Sequence, residues 1–182
     1  MADTTKTPPQ PGSAVPPDDP QRRLTVARPD TDESLRHIGL AGGTYTILLT
    51  GADTGGRYCL IDMHVAPGGG PPPHRHDFEE TFTVLHGEIE ATFRSQKSVV
   101  RAGETVNIPA NAPHCFTNAS DQPARLLCVC SPPGQEEFFM ALGVPVGSRT
   151  APPPKLGEAE QAEARKKAEA LAPKYRTEFL RP

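Results

Sequence analysis

Apolar and polar residues alternate through the central part of the chain. Between Arg57 and Val65, every second residue is apolar: Cys59, Ile61, Met63 and Val65 fall on one face, and the residues between them on the other. A period of two indicates a half-buried β-strand. Comparable segments occur at Thr44–Thr50, at Glu80–Phe93 with Gly87 as the bend between two strands, and at Ala124–Pro132. Many short strands at close spacing predict an antiparallel sandwich or small barrel, an all-β domain.

Two segments towards the C-terminus have a helical pattern instead. Residues 135–143 predict one or two helical turns that end at Gly143, and residues 157–173 predict a longer helix that ends at Pro173. The longer helix has mostly alanine on its apolar face, so we expect it to be peripheral. A helix that binds a partner or braces a dimer is the alternative.

Composition divides the chain into three parts. The 22 prolines and 16 glycines favour strands joined by turns over a helical bundle. Residues 1–22 have almost no large apolar side chains, so we predict a disordered, proline-rich tail. We assign residues 35–145 to the β-barrel domain and residues 146–182 to a linker with the peripheral helix.

Charge and hydropathy exclude several classes of partner. The net charge is −3 and there is no basic stripe, which argues against a nucleic-acid-binding protein. No apolar run reaches the roughly 18 residues of a membrane helix, and the N-terminus lacks the apolar core of a secretory signal. We therefore expect a cytoplasmic protein with no membrane partner. In a reducing compartment its four cysteines should be free, mostly buried thiols.

The sequence "PPPHRHDFEETF" brings histidines and acids together. His74 and His76 are two residues apart, so in a strand their side chains share one face and could bind one metal ion. Glu80 has the same parity, whereas Glu79 has it only if a bulge shifts the strand. By itself, this arrangement is also compatible with a polar surface loop.

A second segment changes that assessment. The first segment contains Gly68, His74, His76, Glu80 and Gly87, and the second contains Gly103, Pro109, His114 and Asn118. Together they resemble the two motifs of the cupin superfamily at nine of the ten motif positions. The tenth is Asn111, where the motif has glycine. Asparagine tolerates the left-handed conformation such a turn requires, so we regard the departure as mild.

The resemblance implies a cupin jelly-roll β-barrel with short C-terminal helices and one metal ion inside. It assigns His74, His76, Glu80 and His114 as metal ligands. Three imidazoles and one carboxylate suit a divalent transition metal: Fe, Mn, Ni, Co, Cu or Zn. With one carboxylate, the loaded site would carry a net charge of about +1, which favours anionic substrates or bound water. Cupins commonly pair through the edges of their barrels, so the resemblance also implies a homodimer.

The flanking sequences resemble single-domain cupins related to quercetin 2,3-dioxygenases. This favours a metal-dependent dioxygenase acting on a flavonol-like or other enolisable aromatic substrate, with Glu80 also as the catalytic base and dioxygen as co-substrate. A non-redox isomerase or lyase with the same metal is one alternative. A binding module that holds a small molecule without catalysis is the other, because the cupin fold supports many functions.

Several further residues receive more modest interpretations. Met63, Phe78, Phe82 and Phe116 are candidates for the wall of a substrate pocket, although core packing alone would also explain them. His37, His64 and His86 are interpreted as structural or surface residues. Cys115 follows His114 directly, so in a strand it points away from the ligand and is assigned to packing.

Overall fold

The computed structural model describes residues 15–181. Over this range the chain forms twelve β-strands, two α-helices and one short 3-10 helix. Their bounds are β1 His37–Leu40, β2 Gly43–Leu49, β3 Cys59–Val65, β4 His74–His76, β5 Glu79–His86, β6 Glu88–Phe93, β7 Gln96–Arg101, β8 Thr105–Ile108, β9 His114–Thr117, β10 Ala124–Ser131, α1 Gln135–Leu142, β11 Val144–Pro145, α2 Glu158–Leu171, the 3-10 helix Ala172–Tyr175, and β12 Thr177–Phe179.

The strands form two antiparallel sheets that enclose one core. The larger sheet has the strand order β11-β1-β2-β3-β10-β5-β8, and the smaller has the order β12-β4-β9-β6-β7. Strands that are distant in sequence become neighbours, such as β3 with β10 and β4 with β9. The architecture confirms the prediction of an all-β jelly roll.

Alternation decides which residues enter the core. In β3 the side chains of Cys59, Ile61, Met63 and Val65 are all buried, as the pattern of the sequence predicts. In β10 every second residue from Ala124 to Cys130 is buried as well. Burial of apolar surface contributes roughly 25 cal/mol per Å². The inward faces of these two central strands therefore supply much of the driving force for folding.

Two turns have backbone conformations that their residues permit. Gly87 lies between β5 and β6 at a φ of +71°, where an added Cβ would meet the carbonyl oxygen of Pro123 at 2.8 Å. Asn111 has a φ of +68°, the left-handed conformation expected for the one position that departs from the second motif. The substitution therefore preserves the turn that leads into β9.

The C-terminal part of the described chain returns to the barrel. Helix α2 has no buried residue, as expected of a peripheral helix. Beyond it, β12 adds a strand to the smaller sheet and pairs with β4, with Thr177 opposite His76 and Phe179 opposite His74. The sequence pattern alone does not predict this strand. Strand β12 pairs with all three residues of β4, the short strand that carries His74 and His76.

The predicted disordered tail, residues 1–22, lies largely outside the described residues. Within residues 15–22, the side chain of Arg22 donates a 3.0 Å hydrogen bond to the carbonyl oxygen of Asp53. Among residues 15–181, no helix combines the length and the apolar character needed to cross a membrane.

Candidate metal centre

Three elements bring the four motif residues together. His74 and His76 come from β4, Glu80 from β5 and His114 from β9. One ligand atom of each lies within 4.8 Å of those of the other three, and all four side chains are buried. Antiparallel pairing places His74 directly opposite His114, and their rings are 4.2 Å apart. Glu79 points outward instead, where it accepts hydrogen bonds from Asn107 and from the backbone of Ala110.

Each imidazole is oriented by a backbone carbonyl. The Nδ1 atoms of His74, His76 and His114 lie 2.9 Å from the carbonyl oxygens of Pro72, Phe78 and Ala112, respectively. A carbonyl oxygen can only accept, so each Nδ1 must carry the proton. In the neutral ring Nε2 is then an unprotonated electron-pair donor. This orienting contact is common among metal-binding histidines.

The Nε2 atoms of His76 and His114 face the carboxylate of Glu80, which also carries lone pairs. Those of His76 and His114 each lie 3.2 Å from Oε2 of Glu80. Lone pairs at this separation repel unless a proton or a metal ion lies between them. Ligands about 2.1 Å from a metal are about 3.0 Å apart at a right angle and about 3.4 Å apart at a tetrahedral angle. The donors and their spacing therefore fit a divalent transition metal.

Electrostatics of the cluster point the same way. Burial acts to raise the pKa of Glu80, whereas protons on the facing Nε2 atoms of His114 and His76 would hold that pKa far below its usual range, so a cation beside Oε2, either a proton or a metal ion, keeps the carboxylate ionised. Burial, with a contribution from His114, lowers the pKa of His74 to about 4. The carboxylate is thus ionised and His74 is neutral at physiological pH, the protonation states that metal binding requires.

Comparison with known proteins agrees with the fold and with the motifs. The family model described as "Cupin domain" matches residues 61–130, which include all four residues of the cluster. An uncharacterized protein from Methanocaldococcus jannaschii is 31% identical over 84 residues, which cover 46% of this chain and 67% of that protein. This chain belongs to the cupin superfamily.

Other relatives of this cupin differ in function and in length. Quercetin 2,3-dioxygenase from Bacillus subtilis is 27% identical over 109 residues, which cover 59% of the chain but only 32% of that enzyme. The polyketide cyclase RemF from Streptomyces resistomycificus aligns with a TM-score of 0.51 at 22% identity, over 80% of this chain and 99% of that one. A predicted oxalate decarboxylase from Thermotoga maritima aligns with a TM-score of 0.52 at 19% identity, over 59% of this chain and 99% of that one. These structural similarities concern the fold.

The four candidate pocket residues all lie inside this cupin. Met63, Phe78, Phe82 and Phe116 are buried members of the core. The ring of Phe78 stacks on that of His76, with 3.8 Å between centroids and 3° between planes. Phe82 and Phe116 meet edge to face at 5.3 Å. Each is two residues from a member of the cluster on the same strand, Glu80 and His114, so apolar rings lie beside the polar centre.

The remaining histidines lie outside the cluster. His37 contacts the hydroxyl of Thr46 at 2.7 Å. His86 lies at the far end of β5. His64 is on the outer face of β3, where its Nε2 atom has no hydrogen-bond partner and lies 3.9 Å from a carboxylate oxygen of Asp62.

The cysteines are a part of the site that sequence reasoning missed. All four are free thiols, as expected, and Cys115 is half-buried outside the cluster. Cys128 and Cys130, however, contact the other carboxylate oxygen of Glu80. Hydrogen bonding with Cys130 lowers the pKa of Cys128, but burial and the charge of Glu80 outweigh it and raise that pKa to about 12. The sequence does show that Cys128 and Cys130 lie on the same face of an apolar strand. It does not show the strand register that places these thiols against Glu80.

Proposed function

We propose that this cupin is a metal-dependent dioxygenase whose substrate is a flavonol-like or other enolisable aromatic compound. The observation that carries the proposal is the buried cluster of three oriented imidazoles and one carboxylate, set among aromatic side chains. The similarity to Bacillus subtilis quercetin 2,3-dioxygenase supports this choice among cupin activities. Because the chain spans about a third of that enzyme, the activity and substrate are proposals for this protein.

The cluster would hold one Fe, Mn, Ni, Co, Cu or Zn ion through the Nε2 atoms of His74, His76 and His114 and through Oε2 of Glu80. When bound, such a metal supplies Lewis acidity that lowers the pKa of a substrate hydroxyl. Four protein ligands would leave positions open on an ion of higher coordination number, and the proposed substrate would bind there. A closed structural zinc site would more often be built from cysteine ligands.

Glu80 is the proposed proton acceptor. It is the one carboxylate in the cluster. A substrate hydroxyl group acidified in the site would transfer its proton to Glu80, which would accept it as a ligand or after partial detachment. The backbone contacts of the three Nδ1 atoms meanwhile hold the imidazoles in fixed tautomers.

Aromatic and apolar side chains would select the substrate. Phe78, Phe82, Phe116 and Met63 are the proposed pocket wall. Phe78 stacks on His76, Phe82 and Phe116 are two residues from Glu80 and His114 on their strands, and Met63 is a buried member of the same core. Apolar walls with few polar groups are typical of sites for aromatic ligands. They also exclude water, which strengthens electrostatic interactions inside the site.

Oxygen uptake tests the proposal. Elemental analysis of the purified protein identifies the native metal, and metal-loaded protein is then assayed with a panel of flavonols and catechols in air and under nitrogen. We expect oxygen consumption with at least one flavonol and none with a His114→Ala control. Turnover under nitrogen, with Zn as effective as Fe or Ni, would instead indicate an isomerase or lyase. Absence of oxygen uptake across the panel would contradict the dioxygenase.

We also propose that the protein is a homodimer in solution. The two sheets end in the edge strands β7, β8, β11 and β12, and exposed strand edges are surfaces that proteins commonly cover. Light scattering at micromolar concentration measures the mass directly. A monomer there would contradict the dimer.

A further inference from the structure

Three thiols line one side of the barrel interior, on the two central strands of the larger sheet. Cys59 is on β3, and Cys128 and Cys130 are on β10; each is fully buried. Antiparallel pairing places Cys130 opposite Glu80 on β5 and opposite Cys59 on β3. The proposed reaction assigns no role to these thiols, although two of them reach its carboxylate.

The two oxygens of the Glu80 carboxylate have different surroundings. Oε2 lies 3.2 Å from both Nε2 atoms of His76 and His114. Oε1 points to the other side, 3.4 Å from Sγ of Cys128 and 3.8 Å from Sγ of Cys130. The two sulfurs are 3.6 Å from each other. Among residues 15–181, these thiols are the hydrogen-bond donors that reach Oε1.

A buried carboxylate oxygen is costly without a donor. Thiols are weak donors, but Cys128 and Cys130 occupy the position from which a donor can reach Oε1 and not Oε2. Such a contact restrains rotation of the carboxylate and keeps Oε1 turned away from the imidazoles.

We propose that Cys128, assisted by Cys130, is a positioning residue that holds Glu80 as a one-oxygen ligand. The inference rests on the proposed metal centre. If Oε1 were released, the carboxylate could rotate and bind the metal through both oxygens, occupying a position that a substrate needs. The thiols would thus help to keep the coordination sphere open.

A pair of substitutions separates this role from packing. Cys128→Ser keeps a side-chain donor but places a polar group in the core, whereas Cys128→Val keeps an apolar side chain of similar size but removes the donor. Binding of Co²⁺ to metal-free protein is followed by calorimetry and by the visible absorption of the bound ion. We expect Cys128→Val to alter the visible spectrum, because the freed carboxylate would add a second oxygen to the coordination sphere, and Cys128→Ser to keep the wild-type spectrum and to bind Co²⁺ within about threefold of the wild type.

The controls are Cys115→Val, which removes a thiol outside the cluster, and circular dichroism of each variant. If Cys128→Ser does not fold, the Ser and Val variants of Cys130 repeat the comparison, with a smaller expected effect because of the longer 3.8 Å contact. A packing role predicts the opposite order, with valine tolerated and serine harmful.

Three results would overturn the inference. The first is an unchanged visible spectrum in Cys128→Val. The second is a thiolate-to-cobalt charge-transfer band in the wild type that disappears in Cys128→Ser, since the thiol would then be a ligand. The third is a wild-type protein that binds no Co²⁺, which would also remove the proposed function. Absence of flavonol turnover with normal Co²⁺ binding would contradict only the dioxygenase.

Discussion

Two buried charged clusters lie on opposite faces of the larger sheet, and they differ in how their charges are compensated. On the outer face, the carboxylate of Asp62 accepts two hydrogen bonds of 2.9 Å from Arg125 and one of 3.3 Å from Arg149. Arg149 in turn forms a two-pronged ion pair with Asp30. On the inner face, Glu80 meets Nε2 atoms whose rings already carry their proton on Nδ1.

The difference separates a cluster that is complete by itself from a cluster that is suited to bind a cation. The outer cluster contains both signs of charge and enough donors for its buried carboxylate, so it is complete as the protein folds. The inner cluster brings lone pairs together, and its geometry becomes favourable when a cation joins it. Burial of charge alone would not distinguish the two, because Asp62 and Glu80 are both almost inaccessible.

The largest expected effect is on the inner cluster. Replacing His114 by alanine removes one of the Nε2 donors, and we expect metal affinity to fall by more than about 100-fold, because even residues outside the coordination sphere contribute about 10–100-fold. Elemental analysis and calorimetric titration measure the loss. His86→Ala, a histidine outside the cluster, is the matched control. Retention of metal by His114→Ala would contradict the assignment.

A matching change in the outer cluster should affect stability instead. Asp62→Ala leaves the guanidinium groups of Arg125 and Arg149 without their buried partner, and we expect a loss of about 2–4 kcal/mol in the free energy of unfolding. Urea unfolding measures it. Metal content, determined on the folded protein, should equal that of the wild type. If Asp62→Ala lost metal as His114→Ala does, the two clusters would be coupled and the distinction between them would fail.

The pH dependence of the metal-free protein sharpens the contrast. The pKa of His74 is about 4 in the folded protein, below the roughly 6.5 of an unfolded chain, so the unfolded state binds a proton first as the pH falls. The stability from this group is present above about pH 6.5 and is lost as the pH falls through 4, by roughly 3–4 kcal/mol in total. Denaturant unfolding across this range measures the slope. His74→Asn, which does not titrate, should reduce it, and an equal slope in both proteins would contradict the assignment.

The smallest effect is expected at the surface beside the histidine strand. Arg75 on β4 pairs with Glu178 on β12 at 2.6 Å, but about half of each side chain is exposed. Exposed pairs are worth about 0–1 kcal/mol and are screened by salt. Glu178→Gln should therefore lower the unfolding temperature only slightly, and less at 0.5 M than at ~0.05 M salt. A loss of several kcal/mol would mean that the pair, and not the backbone ladder, holds β12 in place.

The inner cluster was predictable because its information is local. The parity of His74, His76 and Glu80 within one short segment puts them on one face, and the resemblance supplied His114 from the second segment. The alternation in β3 likewise placed Cys59, Ile61, Met63 and Val65 inside, as the structure confirms.

The outer cluster and the thiol contacts were not predictable from local pattern. Asp62 and Arg149 are 87 residues apart in the sequence, and Cys128 and Glu80 are 48 residues apart. Such contacts depend on which strands become neighbours and in which register. The strand β12 was missed for the same reason, since Thr177–Phe179 is too short for its own alternation to identify it and takes its conformation from β4.

The position of β12 has a practical consequence for expression of the protein. Its residue Phe179 is paired with His74, and the backbone amide of Leu180 donates to the carbonyl oxygen of Pro73. A polyhistidine purification tag placed after Pro182 would therefore follow β12 within a few residues and begin close to the candidate metal centre, where its imidazoles could compete for the ion. Metal stoichiometry is best measured on protein tagged at the other terminus or with the tag removed.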